Sequence, residues 1–236
     1  MKKKRGGTHV GFMLSFVIFV VFLIFIYSIL IEPTITQSDK KSALENLKIR
    51  LIEKVSEDLT STAVNLKISN PSENCIELKN FISQAEISPN IISKNNNNVL
   101  QSYVSSNNLK IERWSSEIFF KIYYSKEFEA LSSGGSNCKR VNENQYAIGL
   151  IKVEEYVFEN KIIDLINSYK VDYEQLKEEL KIPFGSDFGF GFTYGNGTLI
   201  TTEKNVSTNV YASEIPVQYV NKNAEVLLGF INIKTW

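Results

Sequence analysis

From Val10 to Ile31 the chain carries no charged side chain. As an α-helix this run would be about 33 Å long, against roughly 30 Å of hydrocarbon in a bilayer. Phenylalanines at 12, 16, 19, 22 and 25 surround the axis, and a soluble core would have to cover them on every side. The pattern predicts a transmembrane helix over 10–31, with a basic tail over 1–9 before it. Past Pro33, Thr34, Gln37 and Ser38 offer capping chemistry. Leu44, Leu47, Leu51, Val55, Leu59 and Leu66 then recur every three or four positions, with Ala63 on the same face. That spacing predicts an amphipathic helix over 38–66, inside a juxtamembrane region of 32–70 and continuing the span with a kink at Pro33.

After Asn70-Pro71-Ser72 the pattern shifts to short runs of β-branched and aromatic residues between Asn, Ser and Gly clusters. Strands are predicted near 75–81, 99–104, 109–114, 117–124 and 145–153. Surface loops are predicted at 95–98 and 132–136. Helical spacing returns at Phe158, Ile162, Leu165, Ile166 and Tyr169, and Asp172-Tyr-Glu-Gln175 is a capping-box pattern for a second short helix ending before Pro183. Phe188, Phe190, Phe192 and Tyr194 alternate with small or polar residues ahead of Asn196-Gly197, the strongest hairpin signal in the chain. A closing hairpin is predicted from strands at about 215–220 and 225–233 joined by Asn221-Lys-Asn223. The expected fold class is α+β: an N-terminal transmembrane helix continuing into an amphipathic helix, packed on a mainly antiparallel β-sheet domain over 71–236 with one or two further short helices.

Charge orients the span. Lys2, Lys3, Lys4 and Arg5 precede it and Glu32 and Asp39 follow, which places the N-terminus in the cytoplasm and the large domain outside a cell membrane crossed once. A cleavable secretory signal is the competing reading, but the apolar run exceeds the usual h-region and Glu32-Pro33-Thr34 follows it instead of a small-residue site. Setting the four basic tail residues aside leaves 22 of the 26 basic residues against 26 acidic ones, a net charge of −4 that argues against nucleic-acid binding. Cys75 and Cys138, the only cysteines, are two buried thiols in a reducing compartment and a disulfide in an oxidising one. The outward topology makes the bridge the expectation.

Candidate chemistry is sparse. The one histidine, His9, sits at the edge of the span, so histidine-based triads and histidine-ligated zinc are excluded from the outer domain. Glu112, Glu117, Glu154 and Glu155 lie on or beside predicted strands as possible paired carboxylates, although their spacing equally suits a solvated face. Gly189, Gly191, Gly195 and Gly197 depart from the dinucleotide-loop spacing and suit a strand with close backbone packing. Asn196-Gly-Thr198 and Asn205-Val-Ser207 are glycosylation sequons. No catalytic residue, cofactor or metal site is expected.

Lys2-Lys-Lys-Arg5, then Gly6-Gly7, then an uninterrupted apolar helix leading into an amphipathic one, resembles the class III signal and first helix of archaeal type IV pilin-like proteins. Thr8 and His9 stand where archaeal members usually carry a glutamine. The resemblance covers roughly the first 65 residues and implies a prepilin peptidase acting at Arg5-Gly6 or Gly6-Gly7. It also implies that the helix serves as a membrane anchor or packs against other pilin-like subunits. The expected function is a membrane-anchored surface structural or interaction protein, pilin-like or minor-pilin-like, and not an enzyme. The alternative is a monomeric signal-anchored binding or sensory domain.

Overall fold

A computed structural model describes residues 8–67, 73–87, 90–96, 98–113, 117–129, 137–202 and 210–236, without the side chains of 8–9 and 28–40. The chain opens with one α-helix, α1 (Thr8–Val55), which continues through Pro33. Its Val10–Tyr27 stretch has mean hydropathy 2.8, is long and apolar enough to cross a membrane, and is nowhere buried. Further along, Ala43, Leu44, Leu47, Leu51 and Val55 are all buried. The helix expected to reach Leu66 stops at Val55, and Ser56–Leu66 is instead a strand, β1. Leu59 and Leu66 keep helical spacing by coincidence. In the strand, Thr62, Val64 and Leu66 alternate inward, as β-branched residues on a pleated surface do.

The elements that follow are β2 (Cys75–Leu78), α2 (Phe81–Ala85), β3 (Ile91–Asn95), β4 (Asn98–Leu100), β5 (Ser102–Ser105), β6 (Asn108–Glu112), β7 (Phe119–Tyr124), β8 (Lys139–Val141), a 3-10 turn (Glu143–Gln145) and β9 (Tyr146–Ile148). Then come β10 (Lys152–Phe158), α3 (Glu159–Val171), α4 (Tyr173–Glu179), β11 (Phe188–Tyr194), β12 (Leu199–Thr201), β13 (Tyr211–Val220) and β14 (Val226–Thr235). A ten-stranded sheet has the order β12-β11-β14-β13-β10-β1-β7-β3-β4, with β9 also on β1, and a four-stranded sheet has the order β5-β6-β2-β8. Among the described residues only β10–β13 and β2–β8 pair in parallel. The molecule is therefore α+β with mostly antiparallel sheet.

Several strands differ from expectation. The run expected as one strand over 99–104 is two, β4 in the large sheet and β5 in the small one, with a corner at Gln101 where Ser102 Oγ donates to the Leu100 carbonyl at 3.0 Å. The 75–81 strand gives way to α2 after Asn80, whose φ of 57° is left-handed. The 145–153 strand is interrupted: Ile148 faces Val64 and Lys152 faces Ser61, so three residues oppose two and form a β-bulge. Strands β3 and β8 lacked a sequence signal. Of the loop expected at 95–98, Asn95 and Asn98 pair as the ends of β3 and β4, Asn96 has φ 51° and Asn97 lies outside the described residues, as does the loop at 132–136.

The helical hairpin and both C-terminal hairpins follow local chemistry. Asp172 caps α4 by accepting from the Gln175 N–H at 3.0 Å. Gly197, at φ 85°, occupies the turn between β11 and β12 where a side chain would be strained. Phe188, Phe190 and Phe192 join Leu44, Leu47, Leu51 and Val55 in a buried cluster. The intervening glycines let other backbone close in: a Cβ on Gly191 would lie 2.9 Å from the Ile200 carbonyl oxygen.

Cys75 and Cys138 form a disulfide with Cα atoms 4.5 Å apart and 63 residues of separation. It ties the start of β2 to the residue before its parallel neighbour β8. In the chain-entropy account a loop of this size is worth about 4 kcal/mol at most. Replacing both cysteines by serine should lower the stability of the four-stranded sheet by about 2–4 kcal/mol. Hydrogen exchange of β2 and β6 amides measures this, and protection equal to the parent protein would refute it.

Candidate interaction surface

The structure sets the sequence-derived candidates in different places. Glu112 lies on the four-stranded sheet opposite Cys75 and accepts from the Tyr103 hydroxyl at 3.4 Å. Glu117 precedes β7, and its carbonyl accepts from the Arg113 guanidinium. Glu154 and Glu155 are consecutive on β10 in the large sheet, so they face opposite sides. Glu154 is held by Lys152 at 2.8 Å and by the Tyr156 hydroxyl at 3.2 Å, and the Lys152 hydrogen bond keeps its carboxyl below the usual range. Glu112 thus lies on one sheet and Glu154 and Glu155 on the other, with Glu117 just ahead of β7. Asn196 sits in the β11–β12 turn, where its side-chain oxygen accepts from the Thr198 N–H at 3.0 Å. Arg5, Gly6, Gly7 and Asn205, and the side chain of His9, lie outside the described residues.

A groove of about 520 Å³ runs between the last turn of α1 and the α3–α4 hairpin, bounded by Lys54, Asp164, Asn167, Asp172, Gln175 and Glu179. Much of this polar lining is engaged locally. Glu179 is paired with Lys54 and accepts from Gln175 Nε2 at 3.1 Å, while Asp172 caps α4. Beside it, Tyr169, Tyr173 and Phe188 pack edge to face or stacked with centroids 4.9–5.4 Å apart. The Tyr173 hydroxyl donates to Asp187 at 2.8 Å and burial pushes its pKa up. These contacts lock the helical hairpin to β11. Among the described residues no group of three or more His, Cys, Asp or Glu side chains could hold a metal ion.

Three surfaces suited to contact stand out among the described residues. The first is the exposed apolar stretch of α1 over Val10–Tyr27. The second lies within the large sheet. Strands β10 and β13 pair only at Val157↔Tyr219 and Phe158↔Val220, so Lys152–Tyr156 and Tyr211–Gln218 leave facing backbone edges unpaired among the described residues. The bulge beside this fork exposes Leu150 at 86%. Pro216, which lacks an N–H, and the Lys152–Glu154 ion pair blunt the two edges against unwanted strand addition. The third is Phe184, 106% exposed in the turn Pro183–Ser186. Sequence reasoning passed over it because an aromatic is expected inside, although Pro-Phe-Gly-Ser is a turn signature that places the second residue at the tip.

The junction between α1 and β1 is held by charge. Lys161 Nζ donates to the Ser56 carbonyl at 2.7 Å and lies 3.3 Å from Glu57, which also pairs with Lys126 at 3.2 Å. Burial would raise the Glu57 pKa, but its hydrogen bonds from Lys126 and Lys161 outweigh that and hold it below the ordinary 4.5. A carboxyl depressed on folding contributes stability that is present above its ordinary value and is lost as pH falls through the folded value. Glu57→Gln should therefore flatten the loss of stability on acidification below about pH 4.5, at the cost of lower stability at neutral pH. Denaturant titrations of both proteins across that range measure it, and parallel pH profiles would refute it. Comparison with protein-family models, with curated proteins and with solved structures finds no match to this chain.

Proposed function

We propose that this protein is a membrane-anchored surface structural or interaction subunit, pilin-like in the use of its first helix, with the outer domain presenting contact surfaces and not an active site. The observation that carries the reading is the division of labour along α1. One helix is apolar and nowhere buried over Val10–Tyr27, then contributes Ala43, Leu44, Leu47, Leu51 and Val55 to the buried interior. An exposed apolar helix of that length needs either lipid or other copies of itself around it. Anchor and domain are thus one element, an economical arrangement for a subunit that must fix its domain relative to a membrane or a helical core. The basic tail before the span orients the domain outward.

Mass spectrometry of the N-terminus of protein recovered from the membrane fraction tests this. Loss of the first five or six residues, by cutting at Arg5-Gly6 or Gly6-Gly7, is expected of a pilin-like subunit processed by a prepilin peptidase. An intact basic tail on membrane-bound protein would replace this with the monomeric signal-anchored reading. Protein freed from the membrane by alkaline carbonate would overturn anchoring altogether.

A further inference from the structure

One end of the large sheet faces the direction from which α1 arrives. Phe188, Thr235 and Tyr211 are aligned across β11, β14 and β13, and Asp187 and Trp236 exchange backbone hydrogen bonds of 2.9 and 3.1 Å just beyond them. The end of α3 is tied to the same edge by the Tyr169 hydroxyl on the Phe188 carbonyl at 2.8 Å. Ser56, where α1 becomes β1, lies at the other end, level with Val157 and through it with Tyr219. Leu44 to Val55 share a buried cluster with Tyr219, and Val217, Ile215 and Tyr211 pack against it. The helix therefore runs back along β13 from the Ser56 end toward the Tyr211 end, and its apolar stretch lies beyond that.

The lengths bring this end close to the bilayer. From Ser56 back to Ile31, the last residue of the uncharged run, α1 spans about 37 Å at its helical rise. From Tyr219 to Tyr211, β13 covers about 26 Å. The difference of about 11 Å is little more than the roughly 5–8 Å headgroup layer of one leaflet. Projecting from this end is the turn closed by the Ser186 N–H on the Pro183 carbonyl at 3.1 Å, with Gly185 at φ 85° and Phe184 fully exposed at the tip. Val171 and Val210 are exposed at the same end. The nearby charges, Lys170, Lys181 and Lys234 with Asp172 and Glu174, carry both signs, so the attraction comes from partitioning of the aromatic ring and not from net charge.

We propose that this end of the domain rests on the membrane that α1 crosses, with the Phe184 ring seated among the lipid headgroups. The proposal rests on reading α1 as a membrane anchor. It makes the domain a footed structure with a fixed face toward the lipid and leaves the β11–β12 turn at Asn196 pointing away.

Full-length protein in phosphatidylcholine vesicles, with the native disulfide intact, provides the test. Phe184→Cys and, at the opposite end, Asn196→Cys are each labelled with an environment-sensitive fluorophore, and quenching by lipids carrying a headgroup nitroxide is compared. Both positions are exposed turn sites, so the substitutions leave the core untouched. Quenching several-fold stronger at 184 than at 196, and insensitive to high salt, is expected. Equal, weak quenching at both positions in protein that floats with the vesicles would overturn the proposal while leaving the anchor intact. Protein that fails to float with the vesicles would overturn the anchor reading and this proposal with it. Strong quenching at 184 that salt abolishes would replace the aromatic contact by an electrostatic one and so also overturn it.

Discussion

Val55 ends a helix and Ser56 begins a strand with no residue between them, and the domain is organised around that junction. The last carbonyls of a helix lack partners within it, and a cation nearby stabilises its negative end. Lys161, reaching across from the first turn of α3, supplies both by donating to the Ser56 carbonyl and pairing with Glu57. The strand so launched is internal to the sheet, flanked by β10 and β9 on one edge and β7 on the other. Its neighbours in sequence reach all three buried clusters: Val55 the first, Leu59 a second with Phe128 and Phe158, and Val64 and Leu66 the one beneath the four-stranded sheet. A fault at this junction would therefore be felt in every part of the interior.

Local chemistry was legible in the sequence at several places where it alone decides structure. The Asp172 cap, the Asn196-Gly197 turn and the Asn221–Asn223 connection each follow from side-chain bonding or backbone freedom within a few residues, and the uncharged N-terminal run fixes a helix by itself. What was not legible depends on distant partners. Leu59 and Leu66 fit a helix as well as a strand. The choice is made by Glu154–Val157 and by Phe120–Tyr124, residues far along the chain that supply hydrogen-bonding edges to β1. The corner at Gln101 was hidden for the same reason, since an alternating run does not reveal that its two halves belong to different sheets. The candidate surface was the least legible part. An exposed phenylalanine and a pair of diverging strands are facts about what fails to be covered, and periodicity speaks only of what could be.

The two faces of β11 illustrate how composition and packing meet. Its phenylalanines fill the interior under α1 and the α3–α4 hairpin, while on the other face glycine admits Thr201, Thr202 and Trp236 at close range. Gly229 on the neighbouring strand follows a similar logic, since a Cβ there would fall 2.5 Å from the Phe192 ring. The alternation of phenylalanine and glycine along β11 is thus a packing device.

Because one helix passes from the exposed apolar stretch into the interior without interruption, its angular phase is shared by both. Each residue of an α-helix advances about 100° around the axis. Adding or removing a single residue between Tyr27 and Ala43 would therefore swing the whole sheet domain by more than a quarter turn about the apolar stretch while moving it only about 1.5 Å along it. The connecting turns act as a dial: their length sets which face of the domain lies above which face of the apolar stretch, independently of anything in the domain itself.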